Sequence, residues 1–233
     1  MNGQTLLVIG GSAGIGFATA RAAQAAGAEV ILTARDPERL ERAAGELGAR
    51  VGGAFDAADP AALEAFLLEL APVDHVLVTA GRPYYAPLDE LELEPAERSF
   101  DDHVWLAFRI AKLARVRPGG SLTFIGGTGG RNTGVGLGPI SVGTAALPAA
   151  VRNFALELAP TRVNLVAPGF VDTPLSAALL GDRLDARREQ LRSTLPIGRV
   201  VGPDDVAALI VHVMTNTALT GAVYDIDGGQ QLL

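Results

Sequence analysis

Gly10, Gly14 and Gly16 stand at G-x-x-x-G-x-G spacing in Gly10-Gly11-Ser12-Ala13-Gly14-Ile15-Gly16, between an apolar run and a helical pattern from Phe17 to Ala26. Glycine permits a tight turn and lets backbone approach a pyrophosphate, while the free N–H groups that open the next helix favour an anion. A glycine-rich turn that binds nothing has the same composition; its place at the first strand-to-helix junction favours dinucleotide binding. The second apolar run ends in Thr33-Ala34-Arg35-Asp36. A carboxylate at the tip of this strand would bind ribose hydroxyls and repel a 2′-phosphate, but Ala34 is uncharged and Arg35 follows it. Arginine suits phosphate through paired, charge-assisted hydrogen bonds, so NADP(H) is expected in preference to NAD(H). Two other readings stand beside this one: Arg35 pairs with Asp36 or Glu38 at the surface, or Asp36 serves NAD. In Phe55-Asp56-Ala57, after the third strand, Asp56 either accepts from the adenine amino group or caps the helix beginning near Pro60.

Residues of this kind need a scaffold. Strand-length apolar runs recur at Thr5 to Ile9, Glu29 to Thr33, His75 to Thr79, Ser121 to Ile125, Arg162 to Ala167 and Ala222 to Ile226. Between them lie alanine- and leucine-rich stretches with helical spacing, such as Arg39 to Leu47, Ala61 to Leu70 and Pro95 to Val116. Strand alternating with helix predicts a doubly wound, mostly parallel α/β sheet, and no linker or repeat divides residues 1–233. From Gly126 to Gly143, eight of eighteen residues are glycine, which predicts a loop at the ligand-binding carboxyl edge. The chain carries 26 acidic and 19 basic side chains, a net charge of −7, which argues against a nucleic-acid coat. It has no cysteine, so disulfides, thiolate metal sites and cysteine nucleophiles are excluded, and Lys112 is its only lysine. No apolar run approaches the ~20 residues of a membrane span. A soluble, cytoplasmic protein with no metal and no membrane or nucleic-acid partner is expected.

Further along the chain stand Thr79-Ala80-Gly81, Arg162-Val163-Asn164, Pro168-Gly169-Phe170-Val171-Asp172-Thr173-Pro174 and Asp227-Gly228-Gly229. With the glycine motif, in this order and spacing, they make nearly the whole chain resemble a short-chain dehydrogenase/reductase. The resemblance implies one Rossmann-type domain with a seven-stranded sheet. It also implies adenosine contacts at Asp56, Ala80 and Gly81, and nicotinamide contacts from Pro168, Gly169, Val171 and Thr173. A homodimer or homotetramer built on the helices near Pro95 to Val116 and Thr144 to Ala159 follows from it too. The family's chemistry is hydride transfer between the nicotinamide and a carbonyl or alcohol. A tyrosine protonates the alkoxide, a lysine four residues later depresses its pKa and holds the ribose, and a serine and an asparagine assist.

Here the pattern breaks. Matching Ala145-Ala146-Leu147 to the family puts Ile140 at the tyrosine position and Thr144 at the lysine position. The only tyrosines are Tyr84, Tyr85 and Tyr224, and none has a lysine four residues on. The serine position falls at Gly127, beside Thr128, and the asparagine position at His103. Pro148 adds an irregularity, because proline inside a helix costs ~3 kcal/mol or kinks it; the expectation is a bend, or a start near Ala145 that leaves Ile140 and Ser141 in the loop. His103 can exchange a proton near neutrality, or simply bond backbone within a helix contact. Thr128, Ser141 and Thr144 can orient a carbonyl, or cap turns and helices. Arg131 and Asn132 either meet an anionic substrate or are solvated, with solvation the favoured reading. Tyr84 and Tyr85 either shield the pocket rim or pack as half-buried aromatics. Two functions are therefore carried forward: an NADP(H)-dependent oxidoreductase with an atypical proton route, and a catalytically silent NADP(H)-binding protein with a structural or regulatory role.

Overall fold

Leu6, Leu7, Val8 and Ile9 are all fully buried in β1 (Thr5–Ile9), so this strand has cover on both faces. A computed structural model describes residues 1–233 and shows how that cover arises. Six further strands, β2 (Glu29–Ala34), β3 (Arg50–Ala54), β4 (Val73–Val78), β5 (Val116–Ile125), β6 (Arg162–Pro168) and β7 (Val223–Ile226), join β1 in one parallel sheet. The strand order β3-β2-β1-β4-β5-β6-β7 reverses between β1 and β4, which opens a crevice at their carboxyl ends. The helices are α1 (Gly14–Ala25), α2 (Pro37–Leu47), α3 (Pro60–Glu69), α4 (Leu93–Phe100), α5 (Leu106–Leu113), α6 (Gly138–Glu157), α7 (Pro174–Leu180), α8 (Leu184–Thr194) and α9 (Pro203–Thr215). One face of the sheet packs Leu7, Val76, Leu122 and Phe124 against Leu63, Leu67, Ile110 and Phe154 of α3, α5 and α6. The other packs Leu6, Val8, Leu77 and Val166 against α1, α2 and α9, through residues such as Ala20, Leu40 and Ile210. The doubly wound, single-domain architecture is the one expected from the alternating pattern.

Local details differ from the expectation. β3 reads Arg-Val-Gly-Gly-Ala and has no apolar run, because a methyl on Gly52 would meet Ile31 Cγ2 at 2.9 Å and the Leu32 carbonyl at 3.1 Å. The stretch from Pro95 to Val116 is not one helix: a π-helical turn, Asp101–Trp105, separates α4 from α5, and Val116 already opens β5. The glycine-rich loop ends at Leu137, and α6 neither waits for Ala145 nor stops at Pro148. Pro139 sits in its first turn, where the missing N–H costs nothing and φ is preset. Burial of Ile140, Leu147, Val151 and Phe154 carries the helix through the interior proline. Ile140 and Ser141 are therefore helical residues. Asp59, next to Pro60, caps α3 by accepting from the N–H groups of Ala61 and Ala62, so Asp56 does not cap that helix.

His75 of β4 lies on the α1/α9 face and is 1 % exposed. Its Nδ1 is 2.9 Å from Ser121 Oγ, and its Nε2 has no partner. Burial, aided by nearby Arg162 and opposed by Asp74, lowers its pKa from 6.5 to about 4. Between these values the unfolded chain binds a proton that the native protein refuses. Stability from this group is thus complete above about pH 6.5 and is lost as the pH falls towards 4, a change of roughly 3 kcal/mol. Urea unfolding followed from pH 7 to pH 4 should show this acid loss, and His75→Leu should remove that part of the slope. An unaltered slope in the variant would show that another group causes it.

Candidate functional site

The crevice begins where β1 ends. Gly10 has φ +97°, and a methyl there would stand 2.8 Å from Ala80 N. A methyl on Gly16 would collide with the Gly10 carbonyl, which accepts the Thr79 hydroxyl at 2.9 Å. Only glycine lets the end of β1, the opening of α1 and the end of β4 close this tightly. The first turn of α1 has no acidic residue, and its N-cap, Ala13, has no side chain to satisfy the free N–H groups. Above them lies a cavity of about 330 Å³. Gly10, Ser12, Ala13, Ala34, Arg35, Asp56, Ala57, Ala80 and Gly81 line it. Gly14, Ile15 and Gly16 lie behind that lining in α1, with Gly14 against Thr173. A glycine cradle, free backbone donors and adjacent guanidinium groups fit a dinucleotide.

At the outer end of the cleft, Arg35 is about half exposed, and its carboxylate contact is Asp56 Oδ2 at 3.9 Å. It forms no ion pair with Asp36 or Glu38. Asp36 instead caps α2, accepting from Arg39 N at 2.9 Å, and that bond holds its carboxyl below the usual range. Asp56 accepts from Ala58 N at 3.1 Å and from Arg82 Nη2 at 3.0 Å. The cleft also includes Arg39, Arg82 and Asp102, which the motifs did not single out. Arg39 follows Arg35 by four residues and lies in the first turn of α2, where no phosphate motif marks it. Arg82 and Asp102 border Gly81 and His103, but only the fold turns them toward one cleft.

The chain from Pro168 to Thr173, expected to meet the nicotinamide, runs past Gly14 at Thr173 but does not itself line this cavity. A methyl on Gly169 would lie 2.7 Å from Asp227 Cβ, and Phe170 N donates to Gln230 Oε1 at 2.9 Å. Asp227 accepts from Gly229 N and Gln231 N, which shapes the C-terminal turn that Gln230 ties to this loop. Val171 is bridged to Val201, while Thr173 Oγ1 accepts from Ser176 N and caps α7. Pro174 and Leu175 of α7 then close one side of the cleft.

The positions to which the resemblance assigns the four family residues converge on α6. A methyl on Gly127 would meet Thr144 Cγ2 at 3.4 Å and the Pro168 carbonyl at 3.7 Å, while one on Gly143 would meet His103 Cβ at 3.7 Å. Ile140 and Thr144, both buried, share one face of α6. The Thr144 hydroxyl donates to the Ile140 carbonyl at 2.9 Å, and Ser141 Oγ donates to Gly129 O at 2.9 Å. These protons are committed to backbone. Thr128 is buried in the turn after β5. His103 lies in the π-helical turn, its Nδ1 2.7 Å from the Ser99 carbonyl, so Nδ1 carries a proton and Nε2 is free. A methyl on Gly81 would be 3.4 Å from that Nε2. His103 thus bonds backbone, as one reading held, with its Nε2 beside Gly81. Arg131 is exposed, as the solvated reading held, and forms a paired bridge with Asp225 of β7 at 2.8 and 2.5 Å. Tyr84 accepts from Glu92 N at 3.3 Å, and Tyr85 is exposed at the surface.

Comparison with known proteins places this geometry. The sequence family described as enoyl-(acyl carrier protein) reductase matches residues 10–231. Short-chain dehydrogenase/reductase ATR9 of Stachybotrys chlorohalonatus is 31% identical over 250 residues, which cover 98% of this chain and 97% of that protein. The structure of the MalC reductase/Diels-Alderase from Malbranchea aurantiaca superposes with a TM-score of 0.91 at 26% identity, covering 100% of this chain and 98% of the other. That of BdcA in complex with NADPH superposes with a TM-score of 0.86 at 28% identity, covering 98% and 95%.

Proposed function

The chain belongs to the short-chain dehydrogenase/reductase family, and from that premise we propose that it is an NADP(H)-dependent oxidoreductase acting on a carbonyl or alcohol through an atypical site. The observation that carries the cofactor preference is the contrast between neighbours: Asp36 is engaged as a helix cap, while Arg35 stands at the cleft with a single carboxylate 3.9 Å away. The guanidinium of Arg35 is suited to pair with a ribose 2′-phosphate, with Arg39 in the first turn of α2 in support. The opening of α1 would receive the pyrophosphate, and the loop from Pro168 to Thr173 would hold the nicotinamide end. When bound, the cofactor supplies the hydride. Ser141 and Thr144 cannot readily release protons already donated to carbonyls. His103 can hold a proton at Nε2 while Nδ1 keeps its bond to Ser99, and it is the proposed proton carrier.

NADPH consumption against a panel of aldehydes, ketones and enones tests this, with His103→Ala as the control. Turnover by the wild type that the variant loses by about 10² or more supports the reading. Undiminished turnover in the variant removes His103 from the mechanism. Tight NADPH binding with no turnover anywhere favours the second reading, a catalytically silent binding protein, for which the two committed hydroxyls speak. We include a cytoplasmic homo-oligomer: Trp105 and Phe108, both partly exposed, lie 5.3 Å apart, and Phe108 packs edge-on against Phe154 of α6. Sedimentation of the same preparation as a monomer would exclude that assembly. No helix is long and apolar enough to cross a membrane.

A further inference from the structure

Arg82 follows Gly81 directly and reaches across the adenosine end of the cleft between two carboxylates. Its Nη2 is 3.0 Å from Asp56 Oδ2, and its Nε is 3.8 Å from Asp102 Oδ2. The Asp102 side chain is only 10% exposed, and it is an acid buried in the wall of a cavity suited to a polyanion. Burial pushes its carboxyl up, and Arg82 is the strongest influence pulling it back. Five charges border this end: Arg35, Arg39 and Arg82 against Asp56 and Asp102. Arg82 therefore decides whether the cleft is net positive or neutral. The attachment of this arginine is also firm, because its carbonyl accepts the Ser99 hydroxyl at 2.9 Å and the Ser99 carbonyl in turn bonds His103.

Resting on the NADP(H) reading above, we propose that Arg82 is a nucleotide-positioning residue, whose guanidinium bridges Asp56 and Asp102 across the adenosine subsite and makes these two acids compatible with a bound dinucleotide phosphate. The guanidinium hydrogen-bonds Asp56 through Nη2 while its delocalised charge lies 3.8 Å from Asp102, a spread of charge over two elements that the point charge of lysine does not reproduce.

Calorimetric titration with NADPH and with adenosine 2′,5′-bisphosphate tests the assignment. Arg82→Ala should weaken both ligands by about tenfold or more, the scale expected for losing one nearby charge. Arg82→Lys should recover only part of the loss. Adding Asp102→Asn to Arg82→Ala should recover most of it, because the buried acid that needed compensation is gone. A purely structural role predicts instead that the ligand-free melting temperature falls in parallel and that Asp102→Asn gives no rescue. Wild-type affinity in Arg82→Ala overturns this inference and leaves the NADP(H) reading intact. Failure of the wild type to bind either ligand overturns both. Should Arg82→Ala not fold, Arg82→Lys and Asp102→Asn carry the test: unchanged affinity in both rejects the bridge.

Discussion

Arg35→Ala should weaken NADPH binding by about 30-fold and leave NADH binding within about twofold. The figure corresponds to roughly 2 kcal/mol, the scale of charge-assisted hydrogen bonds to one phosphate at a partly solvated site. Arg35 is about half exposed, so screening makes the effect larger at low salt and smaller at high salt. The residue is available for this work because its β2 neighbour Ala34 has no charge and Asp36 is turned to the start of α2. Arg39 remains in the variant, which is why the loss is not complete; removing it as well should add about another tenfold. Fluorescence titration with both reduced nucleotides checks this. Equal loss for NADPH and NADH would place Arg35 on a shared part of the nucleotide, and no loss for either would remove it from the site.

The second large effect is a gain. Ile140→Tyr with Thr144→Lys should raise NADPH-dependent reduction of an activated carbonyl by about 10² or more, the scale of a positioned general acid. The two positions lie one turn apart on the same face of α6, as a tyrosine and its activating lysine require. Space is at hand: a cavity of about 260 Å³, bordered by Gly127, Thr144, Ala145 and Pro148, opens beside the shorter residue. The lysine charge favours the phenolate and so lowers the tyrosine pKa, which predicts that the tyrosine substitution alone gains much less. Single-turnover measurements separate the chemical step from binding. A folded, NADPH-binding double variant with no gain would mean that the absent pair is not what limits reduction.

Much of the frame was legible because it rests on local pattern. The apolar runs of β1, β4 and β6 and the glycines before α1 act over a few residues, so spacing alone reveals them. β3 escaped such reading, since its glycines answer to Ile31 and Leu32 on the neighbouring strand. The π-helical turn at Asp101–Trp105 and the early start of α6 were missed because helix propensity says little about where a helix widens or begins. At the site, Arg35 and the glycine turn could be placed near one crevice in advance from their position in the chain. Arg131 is exposed as expected, but its bridge was not legible because its partner, Asp225, lies 94 residues away on β7.

From the order of its residues alone, this chain determined its fold class, its glycine-lined crevice and the absence of any tyrosine with a lysine four residues on. These depend on residue identity and short spacing. The three-dimensional arrangement alone decided which charges meet: Asp36 turned to a helix end, Arg82 between Asp56 and Asp102, and the Ser141 and Thr144 hydroxyls bound to backbone. The physical reason is that a charge or a hydroxyl acquires its chemistry from what lies within a few ångströms, and those neighbours come from distant parts of the chain.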